Sequence, residues 1–194
     1  MQDKIENFKK IVIKNFSDPA FIWHEWMVDY HLKIVERLAM ELCDLYPDAN
    51  RDLVKVLVWF HDFGKPIDEE SEREVTESQG VECLRECGFE EPFIELVVDN
   101  WRLMERKNEI DLRQSPIETQ IISSADGMSH FIGVFHSSYF GDGDDFATTQ
   151  RYLKDKIEKD WDRKIVIPEA RRAFQDRYLR SRELLGEFPD KFIK

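Results

Sequence analysis

Residues 53–66 read LVKVLVWFHDFGKP: an apolar run ends in a histidine and an aspartate, and glycine, lysine and proline follow closely. The apolar run is typical of a helix that enters a protein core, and Gly64 and Pro66 indicate where this helix ends. Burying an unpaired carboxylate there costs several kcal/mol or forces it to stay protonated. A divalent cation removes that cost, because neutral imidazole and carboxylate are both ordinary metal ligands. His61 and Asp62 therefore predict a metal site with further ligands elsewhere in the chain.

Length and composition predict one domain with a substantial core. The chain has 194 residues, of which 42% are hydrophobic and 35% are charged, as is ordinary for a globular protein. It contains no run of about 18 apolar residues of the kind that spans a membrane. Its first residues have mixed charge and lack the apolar segment of a secretory signal. We therefore expect one domain over residues 1–194, in the cytoplasm and without a membrane partner.

The net charge of −12 argues against binding to a nucleic-acid polymer, because such binding needs a basic surface that displaces counterions from phosphates. It does not exclude a small phosphorylated substrate, since a bound cation and a few lysine or arginine side chains can reverse the sign of one cleft. The sequence leaves open whether the chain forms a homodimer.

Helix signals follow one another along the chain, whereas strand signals are weak, so we expect an all-α fold. Asp18 and Pro19 predict the start of a helix that reaches about Tyr46. Asn50 is expected to cap the next helix, roughly residues 51–62. The remaining signals are two capping-box patterns (Ser71-x-x-Glu74 and Ser115-Pro116-x-Glu118), a helix end at Gly88, and helix starts at Glu91-Pro92 and Pro168.

Polar residues on three apolar helix faces extend the metal prediction. His31 shares a stripe with Ile34, Val35 and Leu38, and His61 and Asp126 follow apolar residues by four positions in the same way. Each residue alone has a simpler interpretation, a hydrogen-bonded core histidine or a turn aspartate. Burying all of these polar side chains costs free energy unless they contact one another or a shared ion. If they converge, the ligand set for one divalent ion is His31, His61, Asp62 and Asp126, with positions left for water and substrate.

This order of residues resembles the HD-domain superfamily of metal-dependent phosphohydrolases. The resemblance rests on a histidine, a His-Asp pair in an apolar helix that ends in Gly-Lys, and a distant aspartate. It covers about residues 20–180, the expected core of the domain. It implies an all-α bundle of the HD type, a bound divalent metal and hydrolysis of a phosphate ester. The metal can be Mn, Fe, Co, Ni or Zn, since this donor set suits all five.

One departure from the superfamily indicates a mononuclear site. Members that hold two metals have additional histidines between the His-Asp pair and the last aspartate, and residues 63–125 contain none. The Glu-Asp element of the alarmone hydrolases is not matched in register, because Lys65 and Pro66 stand in its place. The nucleotidase-type members are the better comparison.

Candidates for catalysis and substrate binding lie near these ligands in the sequence. Lys65 is the leading candidate to stabilise the phosphoryl oxygens. Arg102 is the next, although a surface ion pair explains it equally well. Asp68 and Glu69 are candidates to orient the attacking water, and Glu77 is a third. The sequence does not show which of these three carboxylates has that role.

Trp23 and His24 precede His31 by about two helical turns and are candidates for the mouth of the pocket, with Trp23 stacking on a base. A packing role explains both residues as well. His130 follows Asp126 by four residues and is interpreted either as a neighbour of the site or as an exposed residue.

The sequence favours a metal-dependent phosphohydrolase that uses a metal-activated water to cleave a phosphate ester of a small metabolite, with a nucleotide as the preferred class. The alternative is a non-catalytic sensor or scaffold domain that binds a metal or a nucleotide.

Overall fold

The computed structural model describes residues 1–141, 145–191 and 193, and within these ranges the chain forms nine helices and no strand. The all-α prediction is confirmed. No helix in the described ranges is long and apolar enough to cross a bilayer. The helices are α1 (Gln2–Phe16), α2 (Val28–Leu32 continuing as Lys33–Leu45), α3 (Arg51–Phe60), α4 (Glu72–Val75, Thr76–Gly80 and Val81–Glu86 in succession), α5 (Glu91–Glu105), α6 (Ile117–Ser129), α7 (Phe135–Ser138), α8 (Phe146–Lys159 continuing as Asp160–Lys164) and α9 (Pro168–Leu184).

Helix α3 is the centre of the bundle. It packs against α1, α2, α5 and α6, which explains why its sequence is apolar on nearly every side. Seven of its ten residues are buried, and each large apolar side chain contributes about 1.5–3 kcal/mol when it is fully removed from water. The His-Asp pair that follows Phe60 is therefore held at the end of a largely buried helix.

Four of the predicted helix boundaries are confirmed. Helices α5 and α9 begin at Glu91 and Pro168, as expected. Asn50 caps α3, because its side-chain oxygen accepts a hydrogen bond from the backbone N–H of Leu53 at 3.1 Å. Gly88 ends α4 with a φ of 82°, and the N–H of Phe89 donates to the carbonyl of Leu84 at 3.1 Å. That pattern satisfies carbonyls at the end of a helix and requires the left-handed conformation that glycine adopts readily.

The predicted helix start at Asp18 and Pro19 is wrong, since α2 begins ten residues after Asp18, at Val28. The Asp18 carboxylate accepts from the N–H of Ala20 at 2.9 Å, and the N–H of Phe21 donates to the Asp18 carbonyl at 2.9 Å. These bonds close a tight turn. The same residue types open helices and form such turns, so the local sequence does not distinguish the two.

The two predicted capping boxes are also wrong. Neither α4 nor α6 has a side-chain hydrogen bond at its N-cap. Glu118 reaches another helix instead, where its carboxylate accepts from the backbone N–H of Asn50 at 2.8 Å. A contact with a neighbouring helix thus replaces the local bond.

Three π-helical turns interrupt or extend the α-helices: Val28–Leu32, Thr76–Gly80 and Asp160–Lys164. A π turn inserts one extra residue and so rotates the side chains around it, and such turns occur frequently at functional sites. Each of these turns carries a buried polar side chain: His31 in the first, Thr76 in the second and Asp160 in the third.

Gly64 sits where α4 approaches the chain just after α3. Its N–H donates to the Thr76 hydroxyl at 2.9 Å, and a Cβ atom at this position would overlap the carbonyl oxygen of Glu72. Only glycine fits without moving the start of α4. The close approach holds Glu72 near the His-Asp pair.

We expect Gly64→Ala to lower the free energy of unfolding by roughly 1–3 kcal/mol, because the added methyl group must displace a backbone carbonyl. Urea denaturation monitored by circular dichroism measures this change. Gly88→Ala is the matched control: its nearest atom would be 3.8 Å away, so it should cost only about 1 kcal/mol of backbone strain. A smaller loss for Gly64→Ala than for the control would contradict the steric explanation.

Candidate metal centre

Two imidazoles and a carboxylate meet where the π turn of α2 faces the end of α3. The ring centroids of His31 and His61 are 5.6 Å apart. Asp62 lies between them, with one carboxylate oxygen 3.4 Å from Nε2 of His31 and 3.5 Å from Nε2 of His61. One ligand atom from each of the three residues lies within 4.8 Å of the other two. This is the spacing of a set that can share one ion.

Asp126 of α6 completes the arrangement from the opposite side. Its Oδ1 is 3.9 Å from Nε2 of His31 and 3.1 Å from Nε2 of His130, and these three residues form a second group with ligand atoms within 4.8 Å of one another. His31 belongs to both groups. The structure therefore brings all four predicted ligands to one place and adds His130, which is buried beside Asp126 rather than exposed.

Hydrogen bonds orient both histidines for metal binding. Nδ1 of His61 faces the Val58 carbonyl at 2.8 Å and donates to it. Nδ1 of His31 lies 2.9 Å from the Ser129 hydroxyl, and that hydroxyl donates to the Asp126 carbonyl at 2.7 Å, so it accepts from His31. Both rings thus carry their proton on Nδ1 and present the Nε2 lone pair to the site.

The Nε2 atoms of His31 and His61 are buried and have no hydrogen-bond partner in the described part of the chain. A buried polar atom without a partner costs about 1–3 kcal/mol. A metal ion that accepts both lone pairs removes that cost. The residues present therefore fit a divalent ion, and the fit rests on these two nitrogens.

The ionisation states of the cluster also suit a cation. Burial lowers the pKa of His31 to about 4, so its ring is neutral at neutral pH. Burial alone would raise the pKa of Asp62, but His61 and Lys65 outweigh it and hold that pKa well below its ordinary value. Lys164 and His130 do the same for Asp126. Neutral imidazoles and ionised carboxylates are the forms that bind metals.

Two lysines flank these carboxylates. Nζ of Lys65 lies 3.0 Å from Asp62, and Nζ of Lys164 lies 2.7 Å from Asp126. Behind them Asp160 accepts from Nδ1 of His130 at 2.7 Å. The same carboxylate lies 3.5 Å from Nζ of Lys164. The network fixes the position of each charge around the predicted ligands.

A cavity of about 170 Å³ opens onto this cluster. Its base contains predicted metal ligands, and its walls combine cationic, acidic, apolar and aromatic side chains. Such a cavity suits a phosphate group beside a metal ion. Its lining consists of Met27, His31, Asp62, Lys65, Glu72, Met104, Glu105, Lys107, Asp126, His130, Phe135, Tyr139, Lys156 and Lys164.

Of the predicted catalytic residues, Lys65 lines the cavity and Asp68 and Glu69 do not. Asp68 accepts hydrogen bonds from the backbone N–H groups of Glu70 and Ser71 at 3.1 and 3.2 Å, so it stabilises a turn. Glu69 is exposed.

The cavity receives a carboxyl group that sequence reasoning missed, Glu72, whose Oε1 is 3.8 Å from Nζ of Lys65. Burial, together with the charge of Asp62, raises the pKa of Glu72 to about 8. Its sequence neighbours are mostly charged, so periodicity could not have identified it. The close approach between Gly64 and the start of α4 brings Glu72 to the cavity.

The predicted substrate-binding residues Arg102, Trp23 and His24 lie outside the cavity lining. Arg102 is exposed and pairs with Glu77, as the surface interpretation anticipated. Trp23 packs in an aromatic cluster, 6.2 Å from Trp26 between ring centroids. Nδ1 of His24 is 2.7 Å from the Phe21 carbonyl. Because α2 starts at Val28, neither Trp23 nor His24 shares a helix face with His31.

The sequence-family comparison agrees with this geometry. The family model described as HD domain matches residues 28–129, which is more than half of the chain and includes His31, His61, Asp62 and Asp126. No curated protein and no solved structure matches the chain.

Metal removal should destabilise the protein, since ligation of the folded state is linked to folding. At a free metal concentration 100 times the Kd, bound metal adds about 2.7 kcal/mol. We expect Mn²⁺ or Co²⁺ to raise the Tm measured by differential scanning calorimetry after chelation, and Asp62→Asn to remove most of that rise. Asp29→Asn, at an exposed carboxylate of the same π turn as His31, is the control. Equal metal-dependent shifts in Asp62→Asn and wild type would exclude Asp62 as a ligand.

The metal-free protein should lose stability between pH 6.5 and pH 4. Since the folded-state pKa of His31 is about 4 against an ordinary value of 6.5, the unfolded chain binds more protons in this window, and stability falls as the pH falls. We expect wild type to lose about 2–3 kcal/mol more than His31→Gln between pH 7 and pH 4, measured by urea unfolding with chelator. His24→Gln should follow wild type. Parallel pH profiles for wild type and His31→Gln would refute this assignment.

Proposed function

Because the chain belongs to the HD domain family, we propose that it is a metal-dependent phosphohydrolase that cleaves a phosphate ester of a small metabolite. That family consists mostly of metal-dependent hydrolases. The observation that carries the proposal is the pair of buried Nε2 atoms of His31 and His61, which lack hydrogen-bond partners in the described ranges. They lie beside the carboxylates of Asp62 and Asp126, each paired with a lysine, at the base of a cavity large enough for a phosphate group.

His31, His61, Asp62 and Asp126 would hold a divalent ion, which would supply Lewis-acid polarisation of a phosphoryl oxygen and a lowered pKa of a water molecule. Mn, Fe, Co, Ni and Zn are all compatible with two imidazoles and two carboxylates. The hydrogen bonds at Nδ1 of both histidines keep the rings in the orientation that ligation needs.

Lys65 binds the phosphoryl group in this proposal. Its ammonium group lines the cavity next to Asp62, and Asp62 and Glu72 raise its pKa despite burial, so it is charged at neutral pH. Phosphoryl transfer places negative charge on the equatorial oxygens in the transition state. A fixed ammonium in a partly buried site stabilises that charge without reorganisation.

Glu72 is the carboxyl group of the cavity wall that can exchange a proton with water or with the leaving oxygen. It faces Lys65 and lies on α4, held in place by the contact with Gly64. It takes the role that the sequence assigned to Asp68 or Glu69.

We extend the proposal to a nucleotide substrate. Phe135 and Tyr139 line the cavity, and aromatic faces of this kind pack well against a base. They occupy the place that the sequence assigned to Trp23. Trp23 itself contacts Tyr139, with ring centroids 6.5 Å apart, and so supports the aromatic wall from behind.

Phosphate release tests the proposal. With Mn²⁺ or Co²⁺ supplied, the protein should release inorganic phosphate from nucleoside monophosphates or an aryl phosphate, and His61→Ala should abolish the release. Lys65→Ala should retain the metal-dependent rise in Tm but lose about 10²–10³ in kcat, because removing one electrostatic contact to the transition state has this effect.

Lys55→Ala is the matched control, since Lys55 lies on α3 and outside the cavity lining, and it should keep the wild-type rate. Full activity in Lys65→Ala would assign the phosphoryl contact to another cation. No release from any ester, with metal bound, would contradict the proposal and favour a non-catalytic metal- or nucleotide-binding domain.

A further inference from the structure

A second cavity, of about 260 Å³, adjoins the metal centre along helix α8. We call it the basic groove, and five cationic side chains line it: Lys107, Lys156, Lys159, Arg163 and Lys164. Two acidic residues, Asp155 and Asp160, also line it. This excess of positive charge is unusual in a chain whose net charge is −12.

The basic groove adjoins the metal cavity, and the two share three lining residues. Lys107, Lys156 and Lys164 line both. Lys164 is the residue that contacts Asp126, at 2.7 Å, so the inner end of the groove reaches the predicted ligands. One small molecule can therefore occupy both cavities.

The charges of the groove are neutralised at its inner end and free at its outer end. Lys156 and Lys164 lie 3.1 and 3.5 Å from the carboxylate oxygens of Asp160. Lys159 and Arg163 are exposed, and neither has an acidic partner within 4.0 Å among the residues that the structure describes. The outer pair is available to an anion.

Helix α8 explains why these cations share one side. Lys156, Lys159 and Arg163 are spaced by three and four residues, which places them on neighbouring turns of one face. The π turn at Asp160–Lys164 adds one residue to the last turn. Lys164 in this turn reaches Asp126 on α6, while Lys159 and Arg163 stay in the groove.

The positive charge of Lys156 is also not fully compensated by Asp160. Burial lowers the pKa of Lys156 below the ordinary value although Asp160 acts in the opposite direction. Asp160 also contacts His130 and Lys164, so its single negative charge is shared among three side chains. An anion in the groove would stabilise the charged form of Lys156.

We propose that the basic groove binds a second phosphate group of the substrate while the first lies at the metal centre. The substrate class is then a metabolite with two phosphate groups, such as a nucleoside bisphosphate or diphosphate. This inference rests on the proposed phosphohydrolase function, since it assigns the first phosphate to that site. A monophosphate would use Lys65 and the metal centre and leave Lys159 and Arg163 without a role.

Binding measured without turnover tests the inference separately from the reaction. Isothermal titration calorimetry with chelator present compares adenosine 3′,5′-bisphosphate, ADP and AMP. We expect wild type to bind at least one of the two-phosphate ligands about tenfold more tightly than AMP, since a hydrogen bond to a charged group contributes about 1.5–3 kcal/mol. An advantage for ADP indicates adjacent phosphates, and an advantage for the 3′,5′-bisphosphate alone indicates separated ones.

The double variant Lys159→Gln/Arg163→Gln should reduce the ratio of the two-phosphate affinity to the AMP affinity to about one. Arg151→Gln/Lys154→Gln removes the same two charges from the same helix outside the groove and should keep the wild-type ratio. Equal wild-type affinities, or a ratio that survives in the groove variant, would overturn the inference. A normal ratio without phosphate release under metal would contradict the proposed function and leave the groove assignment standing.

Discussion

Two ion pairs make the rest of the site possible: Lys65 with Asp62 and Lys164 with Asp126. Asp126 is buried and Asp62 is largely buried, and an isolated charge in such a position would be strongly disfavoured. His61 and Lys65 hold the pKa of Asp62 well below its ordinary value, and Lys164 and His130 do so for Asp126. The bundle can therefore fold around a prepared set of ligands.

The four predicted ligands could be found from the sequence because their signals are local. His31, His61 and Asp126 interrupt apolar stripes of period three to four, and the stripe fixes which way each side chain points. That these residues meet in one cavity follows from helix packing and is what the structure adds. That they bind a metal stays a prediction, which the unpartnered Nε2 atoms support.

Other parts of the molecule depend on contacts that no local pattern reveals. An aspartate side chain makes similar hydrogen bonds in a turn and at a helix N-cap. The sequence around Asp18 therefore led to a wrong prediction of where α2 starts. Glu118 bonds to a neighbouring helix rather than to its own. Lys156, Asp160 and Lys164 are spaced like an exposed ion-pair stripe, and only the packing of α8 against α6 shows that they lie beside the predicted ligands. The sequence identifies these residues, but it does not show which residues they contact in the folded protein.

The contact between Gly64 and Glu72 has a consequence for how a ligand enters. Lys65 and Glu72 come from opposite ends of the α3–α4 connection, yet a backbone-to-backbone contact joins their segments. This side of the cavity therefore behaves as one rigid body, and little conformational entropy is lost there when a ligand arrives. Selectivity on this side then arises from shape and charge fixed in advance.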